Sequence, residues 1–292
     1  MREYHGRRKI KNYFEGWYFK CRNASDTIAL IPGVHMGKDG RKSAFVQAIS
    51  REGSYWFPYP YEDFSADPHA LQIRVGENEF SSRIMKLRLL GQGISIIGEV
   101  EFGGFCPIAY DIMGPFSLVP FLECHHGVVS MRHSLRGSIL WNSGVNQFDG
   151  GCGYIEKDWG NSFPSSYLWT QCSEQADIMV SIADIPFCGT HFIGCICCIL
   201  HGGREYRLAT YLGGKAVRWC RDGFELKQGR YTLTGSFDPG QGFRLAAPQK
   251  GEMARSIHEN ASCYGRYRFF DGDRLVFDMA SDRASFEYAD QK

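Results

Sequence analysis

Apolar and polar residues alternate with a period of two along most of this chain, and helical periodicity is almost missing. The clearest unit is IMKLRLL (84–90), a GQG turn (91–93) and ISIIGEVEF (94–102), which predicts a hairpin. A second hairpin is predicted from FIGCICCIL (192–200), HGG (201–203) and REYRLATYL (204–212). A third runs from YGRYRFF (264–270) through the Asp-Gly turn at 271–272 into RLVFDMAS (274–281). Further strands are predicted at 27–36, 43–50, 70–75, 176–184, 224–237 and 242–248. Many strands joined by short turns indicate an all-β fold of barrel or sandwich type. They are too numerous for one compact barrel of about eight strands, so two sequential antiparallel barrels or sandwiches are expected. The turn-rich stretch WNSGVNQFDGGCG (141–153) places the junction between 1–150 and 151–292. Helices are expected to be few and short, with one turn at IHENASCY (257–264).

Composition adds limits. The 292 residues include 14% aromatics and 34 glycines, which suits β-strands punctuated by turns. Net charge is only +1, so nucleic acid is not an expected partner, because binding phosphates needs a surplus of cations. The basic stretch HGRRKIK (5–11) reads as a solvated terminus, and no apolar segment follows it as in a secretory leader. The longest apolar run, 192–200, falls far short of the ~20 residues that span a bilayer, and predicts a core strand. Eleven cysteines without a disulfide pattern point to reduced thiols and a cytoplasmic location. Cys195, Cys197 and Cys198 lack zinc-knuckle spacing, and alternation turns Cys198 away from the other two. Neither a metal nor a cofactor is expected.

The chain has no G-x-S-x-G elbow, no H-E-x-x-H and no P-loop. What stands out is GYIEKDWGNSFP (153–164), with three charged residues inside an apolar strand. Alternation puts Tyr154, Glu156 and Asp158 on one face and Ile155, Lys157 and Trp159 on the other. YFEGWYFK (13–20) is a related strand, with Tyr13, Glu15, Trp17 and Phe19 opposite Phe14, Gly16, Tyr18 and Lys20. A carboxyl group desolvated among aromatics can serve as a general acid, whereas one paired with a cation or capping a loop is structural. In FLECHHGVVSMRHSL (121–135), adjacent His125 and His126 face opposite ways, a poor chelating pair but a suitable proton acceptor or relay.

YFEGWYFK, ECHHGVVSMRHSLRGSI (123–139) and GYIEKDWGNSFPSSYLWTQC (153–172), in that order, resemble the tocopherol cyclase family, whose relatives include lipocalin-like carotenoid 1,2-hydratases. The resemblance implies two lipocalin-like units and an isomerase: an acid protonates an alkene of a prenylated quinol, and the phenol oxygen closes a ring on the resulting cation. It implies Asp158 as the acid, with Glu15 and Glu156 next, and His125 or His126 as acceptor of the phenolic proton. Trp17, Tyr18, Trp159, Tyr154, Lys157 and Trp169 would line a lipophilic substrate. Transient membrane contact is then expected, although no amphipathic helix is visible. The alternative is a non-catalytic carrier of a lipophile on the same scaffold.

Overall fold

The structure, a computed structural model, describes residues 4–187 and 189–290. Among these residues the regular structure is almost wholly strand, with four short 3-10 segments at Gly6–Arg8, Tyr61–Asp63, Gly114–Leu118 and Thr210–Leu212. The first sheet contains β1 (Tyr13–Arg22), β2 (Thr27–Met36), β3 (Lys42–Ser50), β4 (Gly53–Pro60), β5 (Phe64–Ala66) and β6 (Gln72–Val75). It continues with β7 (Asn78–Ser81), β8 (Ile84–Gly91), β9 (Ile94–Phe102), β10 (Cys124–Trp141), β11 (Gly144–Gln147) and β12 (Gly151–Gly160). Their order is β4-β3-β2-β1-β12-β10-β9-β8-β7-β6-β5, so the first strand sits beside the last long one.

The second sheet contains β13 (Tyr167–Ser173), β14 (Asp177–Phe187), β15 (Thr190–His201), β16 (Arg204–Ala209) and β17 (Lys215–Cys220). It continues with β18 (Gly223–Gln228), β19 (Tyr231–Asp238), β20 (Phe243–Gln249), β21 (Glu252–Asp271) and β22 (Arg274–Ala289). Here too the first strand, β13, lies against the last, β22.

Each sheet buries the face that alternation predicts. In the first, Trp17, Phe19 and Cys21 of β1 and Ile155 of β12 point into one core with Leu30, Val46, Phe80, Met85 and Ile139. In the second, Leu168 and Cys172 meet Ile178, Val180, Cys195, Cys197 and Phe269. Cys198 is buried on the other face, as expected, and the described cysteines are free thiols. Neither sheet closes on itself through backbone pairing among the described residues. The first instead curls until side chains meet: Asn78 on β7 donates to Tyr59 Oη on β4 at 3.0 Å and to the Val75 carbonyl at 2.9 Å.

Two expectations are corrected. The chain divides into two units that are not contiguous. The first takes 1–107, 123–163 and 245–256, and the second takes 108–122, 164–244 and 257–292. A cut at 150 would sever β12 from the sheet it completes between β1 and β10. Residues 245–256 join the first unit because the Gln47 amide both donates to the Ala246 carbonyl (3.0 Å) and accepts from its N–H (2.8 Å). Residues 108–122 join the second because Arg207 holds them. Its guanidinium lies 3.5 Å over the Tyr110 ring and donates to the carbonyls of Tyr110 and Asp111. The other correction concerns 257–264, which is not a helical turn. It is the middle of the twenty-residue strand β21, where alternate burial of Ile257, Ala261 and Cys263 decides for strand.

Candidate functional site

The central trio β1-β12-β10 positions nearly all the candidate residues. In register, Tyr18 stands opposite Glu156, Lys20 opposite Tyr154, and His126 opposite Asp158. Directly opposed residues share a face, so this face carries Tyr154, Glu156, Asp158, His126, Tyr18 and Lys20. The reverse face carries Lys157, Trp159, Glu15, Trp17 and His125, through the pairs Glu15–Trp159, Trp17–Lys157 and His125–Trp159.

On the first face the polar groups form a row. Tyr154 Oη donates to Glu156 Oε2. Glu156 Oε2 lies 3.2 Å from His126 Nε2, an ion-pair distance off the line of a hydrogen bond. His126 Nδ1 is 2.8 Å from Asp158 Oδ1, and the Cys124 thiol lies 3.9 Å from the same oxygen. Burial alone would push the His126 ring down, but the two carboxylates outweigh it and raise it well above the usual histidine range. The ring is therefore an imidazolium between two carboxylates. Burial, with Asp158 adding to it, keeps Cys124 a thiol. The Asp158 side chain is 23% exposed against 5% for Glu156 and 10% for His126, so the row opens at its Asp158 end.

The ligand atoms of His126, Glu156 and Asp158 lie within 4.8 Å of one another. A cation here could take Nε2 and Glu156, leaving Asp158 to orient the ring through Nδ1. That gives two protein ligands, one short of a catalytic zinc site.

Several expectations change on the reverse face. Glu15 does not share a face with Asp158 and is not a spare acid. Its Oε2 accepts from the backbone N–H of His5 (2.9 Å) and of Gly6 (3.1 Å) and from Tyr13 Oη (2.6 Å). Its Oε1 faces His5 Nδ1 at 3.0 Å and Lys157 Nζ at 3.9 Å. Lys157 and Glu15 are both wholly buried, which makes Lys157 a counter-ion rather than a substrate contact. The Lys157 ammonium also lies 5.0 Å from the Trp159 ring, which is stacked against His5 at 4.2 Å and His125 at 5.3 Å. Trp17 packs into the core against Tyr4 and Phe64. Trp169 belongs to the second unit, on β13 opposite Glu287.

The basic N-terminal stretch is not simply solvated. Tyr4 is buried and His5 and Gly6 are tied to Glu15, while Lys9 and Lys11 stay in water. Tyr4-His5-Gly6 has no periodicity to reveal this. Only Glu15 and Tyr13 sharing a face hinted that donors would be needed there.

Gly160 ends β12 without a bulge. A Cβ there would sit 2.1 Å from the Glu123 carbonyl oxygen, which already accepts from the N–H groups of Asn161 and Ser162. Gly160→Ala must push β12 from β10 beside the Asp158–His126 pair. It is expected to cost about 1–3 kcal/mol in urea unfolding.

His133 points to the core side, over Gly153, against Phe102 and Phe105. Burial pushes it down to about 4. A histidine with a depressed folded value binds its proton in the unfolded chain first, so stability falls as pH drops from about 6.5 towards 4. The loss attributable to His133 is about 3 kcal/mol, and His133→Asn should flatten the acid limb of a pH–stability curve.

With this geometry in place, comparison with known proteins is informative. The fold is lipocalin-like and nearly all-β, in two large antiparallel sheets. It is similar to the crystal structure of kievitone hydratase from Nectria haematococca, at TM-score 0.52 and 12% identity, over 95% of this chain and 89% of that one. Residues 99–183 match the family model described as tocopherol cyclase-like, in line with the resemblance read from the sequence. That stretch contains every member of the row, Tyr154, Glu156, His126 and Asp158, but not Glu15, Trp17 or Tyr18. No curated protein matches the sequence. No helix among the described residues is long and apolar enough to cross a membrane.

Proposed function

We propose that this chain is an acid catalyst acting on the alkene of a lipophilic, prenylated phenol, with Asp158 as the proton donor. The observation that carries the reading is the His126 ring held between Asp158 at 2.8 Å and Glu156 at 3.2 Å, with one end of the row reaching solvent. Asp158 takes the Nδ1 proton of the His126 imidazolium, 2.8 Å away, and delivers it to the less substituted alkene carbon. A C–H bond forms, the π pair is consumed, and a tertiary cation remains. The row is left with a neutral His126 ring between the two carboxylates, and the Asp158 carboxylate at its outer end faces the cation. Tyr18 and Tyr154 share the face of the row and offer ring faces to the cation, whereas Trp17 and Trp159 lie on the other side. The substrate's phenol oxygen then bonds to the cation and loses its proton. Glu156, held by the Tyr154 hydroxyl, takes that proton and passes it to the His126 ring, 3.2 Å away at Nε2, which restores the imidazolium. Ring closure makes the reaction an isomerisation. Attack by water on the same cation would make it a hydration, the chemistry named in the similar solved structure.

The test is incubation of the protein with a prenylated hydroquinone in D2O, read by mass spectrometry. A cyclic product carrying one carbon-bound deuterium supports the cyclase reading. A deuterated tertiary alcohol moves the assignment to a hydratase. Tight binding without either product overturns catalysis in favour of a lipophile carrier.

A further inference from the structure

The second unit carries an apolar surface that its own core does not use. Leu118 is 84% exposed and Phe121 61%, on a stretch stiffened by Pro115 and Pro120. Beneath them, aromatic rings knit two loops together. Phe121 meets Phe187 at 5.6 Å, Phe187 meets Phe192 at 6.1 Å, and Phe192 meets Phe116 at 6.2 Å. Phe116 in turn touches Tyr211, whose neighbour Leu212 is exposed, as is Ile193 beside Phe192. None of these side chains belongs to the core cluster of the unit. A contiguous apolar patch of this kind in water marks an interaction surface.

Its borders say what it fits. The Thr210–Leu212 turn runs through Gly213 and Gly214 into β17, where Lys215, Val217 and Arg218 are all exposed. On the hairpin partner β18, Lys227 stands opposite Lys215 and binds Glu225 at 2.8 Å. Along 215–227 the cations Lys215, Arg218, Arg221 and Lys227 outnumber the acids Asp222 and Glu225, four to two, a surplus of two in a chain whose whole net charge is +1. An apolar tip on an aromatic base with a cationic border complements one partner in particular, the surface of an anionic lipid bilayer. Leucine and phenylalanine enter the acyl boundary while lysine and arginine stay with the head groups.

We propose that the second unit docks on anionic membranes through Leu118 and Phe121, with the 215–227 hairpin as its electrostatic border. This goes beyond the catalytic reading and depends on no step of it, since docking is measured without substrate.

The experiment is co-sedimentation of the full chain with phosphatidylcholine vesicles containing phosphatidylglycerol. Wild type is expected to bind, and to lose most of the binding when salt is raised from 0.1 to 0.5 M. The doubly substituted Leu118→Asp/Phe121→Asp chain should bind at least about tenfold more weakly at unchanged circular dichroism, because both side chains already face water. Lys215→Ser/Arg218→Ser should weaken binding only to vesicles that contain the anionic lipid. Absence of wild-type binding, or equal binding by the aspartate variant, overturns the proposal. So does a wild-type dimer that the aspartate variant converts to monomer, which would make the patch a contact between copies.

Discussion

Asp158→Asn is expected to lower turnover of a prenylated hydroquinone by at least about a thousandfold, within the range set by losing a general acid. Asparagine keeps the oxygen that faces His126 Nδ1 at 2.8 Å, so the row should stay in place while its outer end has no proton to give. Substrate affinity should therefore stay near wild type, and the fold should hold, with the unfolding midpoint lowered only by the share of the His126 stabilisation that Asp158 supplies. The pairing of kcat loss with a retained fold is the informative result. Normal turnover would take the acid role from Asp158. His126→Gln supplies the complementary measurement. It removes the positive charge between two carboxylates, and it should also remove a stability contribution with a defined pH signature. His126 is raised on folding, so its contribution is complete below about pH 6.5 and is lost as pH climbs through the raised value. The variant's stability curve should accordingly diverge from wild type on the acid side and converge on the alkaline side. Identical curves would mean that the ring does not carry the charge assigned to it.

The largest effect on stability is expected from Glu15→Ala. The substitution strips a fully buried carboxylate from two backbone N–H groups, the Tyr13 hydroxyl and the His5 ring, and removes the negative charge 3.9 Å from the buried Lys157 ammonium. Breaking a buried pair from one side costs about 3–5 kcal/mol. Urea unfolding followed by Trp fluorescence measures it, since Trp159 and Trp17 both lie on the affected face. Glu15→Leu/Lys157→Met should recover part of the loss, because no uncompensated charge remains. A single variant as stable as wild type would mean that the pair is not the latch of the N-terminal segment. Turnover separates this cluster from the acid row: a folded double variant should retain it.

Strand alternation made much of this legible before any coordinates. The sorting of Tyr154, Glu156 and Asp158 away from Lys157 and Trp159 needed only a period of two, and β12 obeys it to its last residue. The opposed faces of His125 and His126 followed in the same way. Which strands lie side by side did not. Glu15 was ranked next to Asp158 as the acid, yet the antiparallel register sets Glu15 against Trp159 and so on the reverse face. A register shift of one residue would have reversed that outcome, and nothing in YFEGWYFK fixes it. His126 as the bridge between two carboxylates was equally invisible, because the contact joins strands 32 residues apart. The unit boundary was misplaced for a related reason. A turn-rich stretch signals the end of a strand, not the end of a sheet, and 141–153 merely leads into the strand that fills the gap between β1 and β10.

The interleaving of the two units bears on the order in which the chain can fold during synthesis. When residue 107 has emerged, β1 still lacks its neighbour β12, so an edge rich in buried aromatics waits for fifty further residues. Residues 108–122, which belong to the second unit, are made before any of its strands, and residues 245–256 complete the first unit only near the end. Such long-range closure slows folding and lengthens the exposure of unpaired strands. Fragments ending at 150 or 163 should therefore be recovered mainly as aggregate. A genetic screen for solubility would find the smallest autonomous piece to be nearly the whole chain.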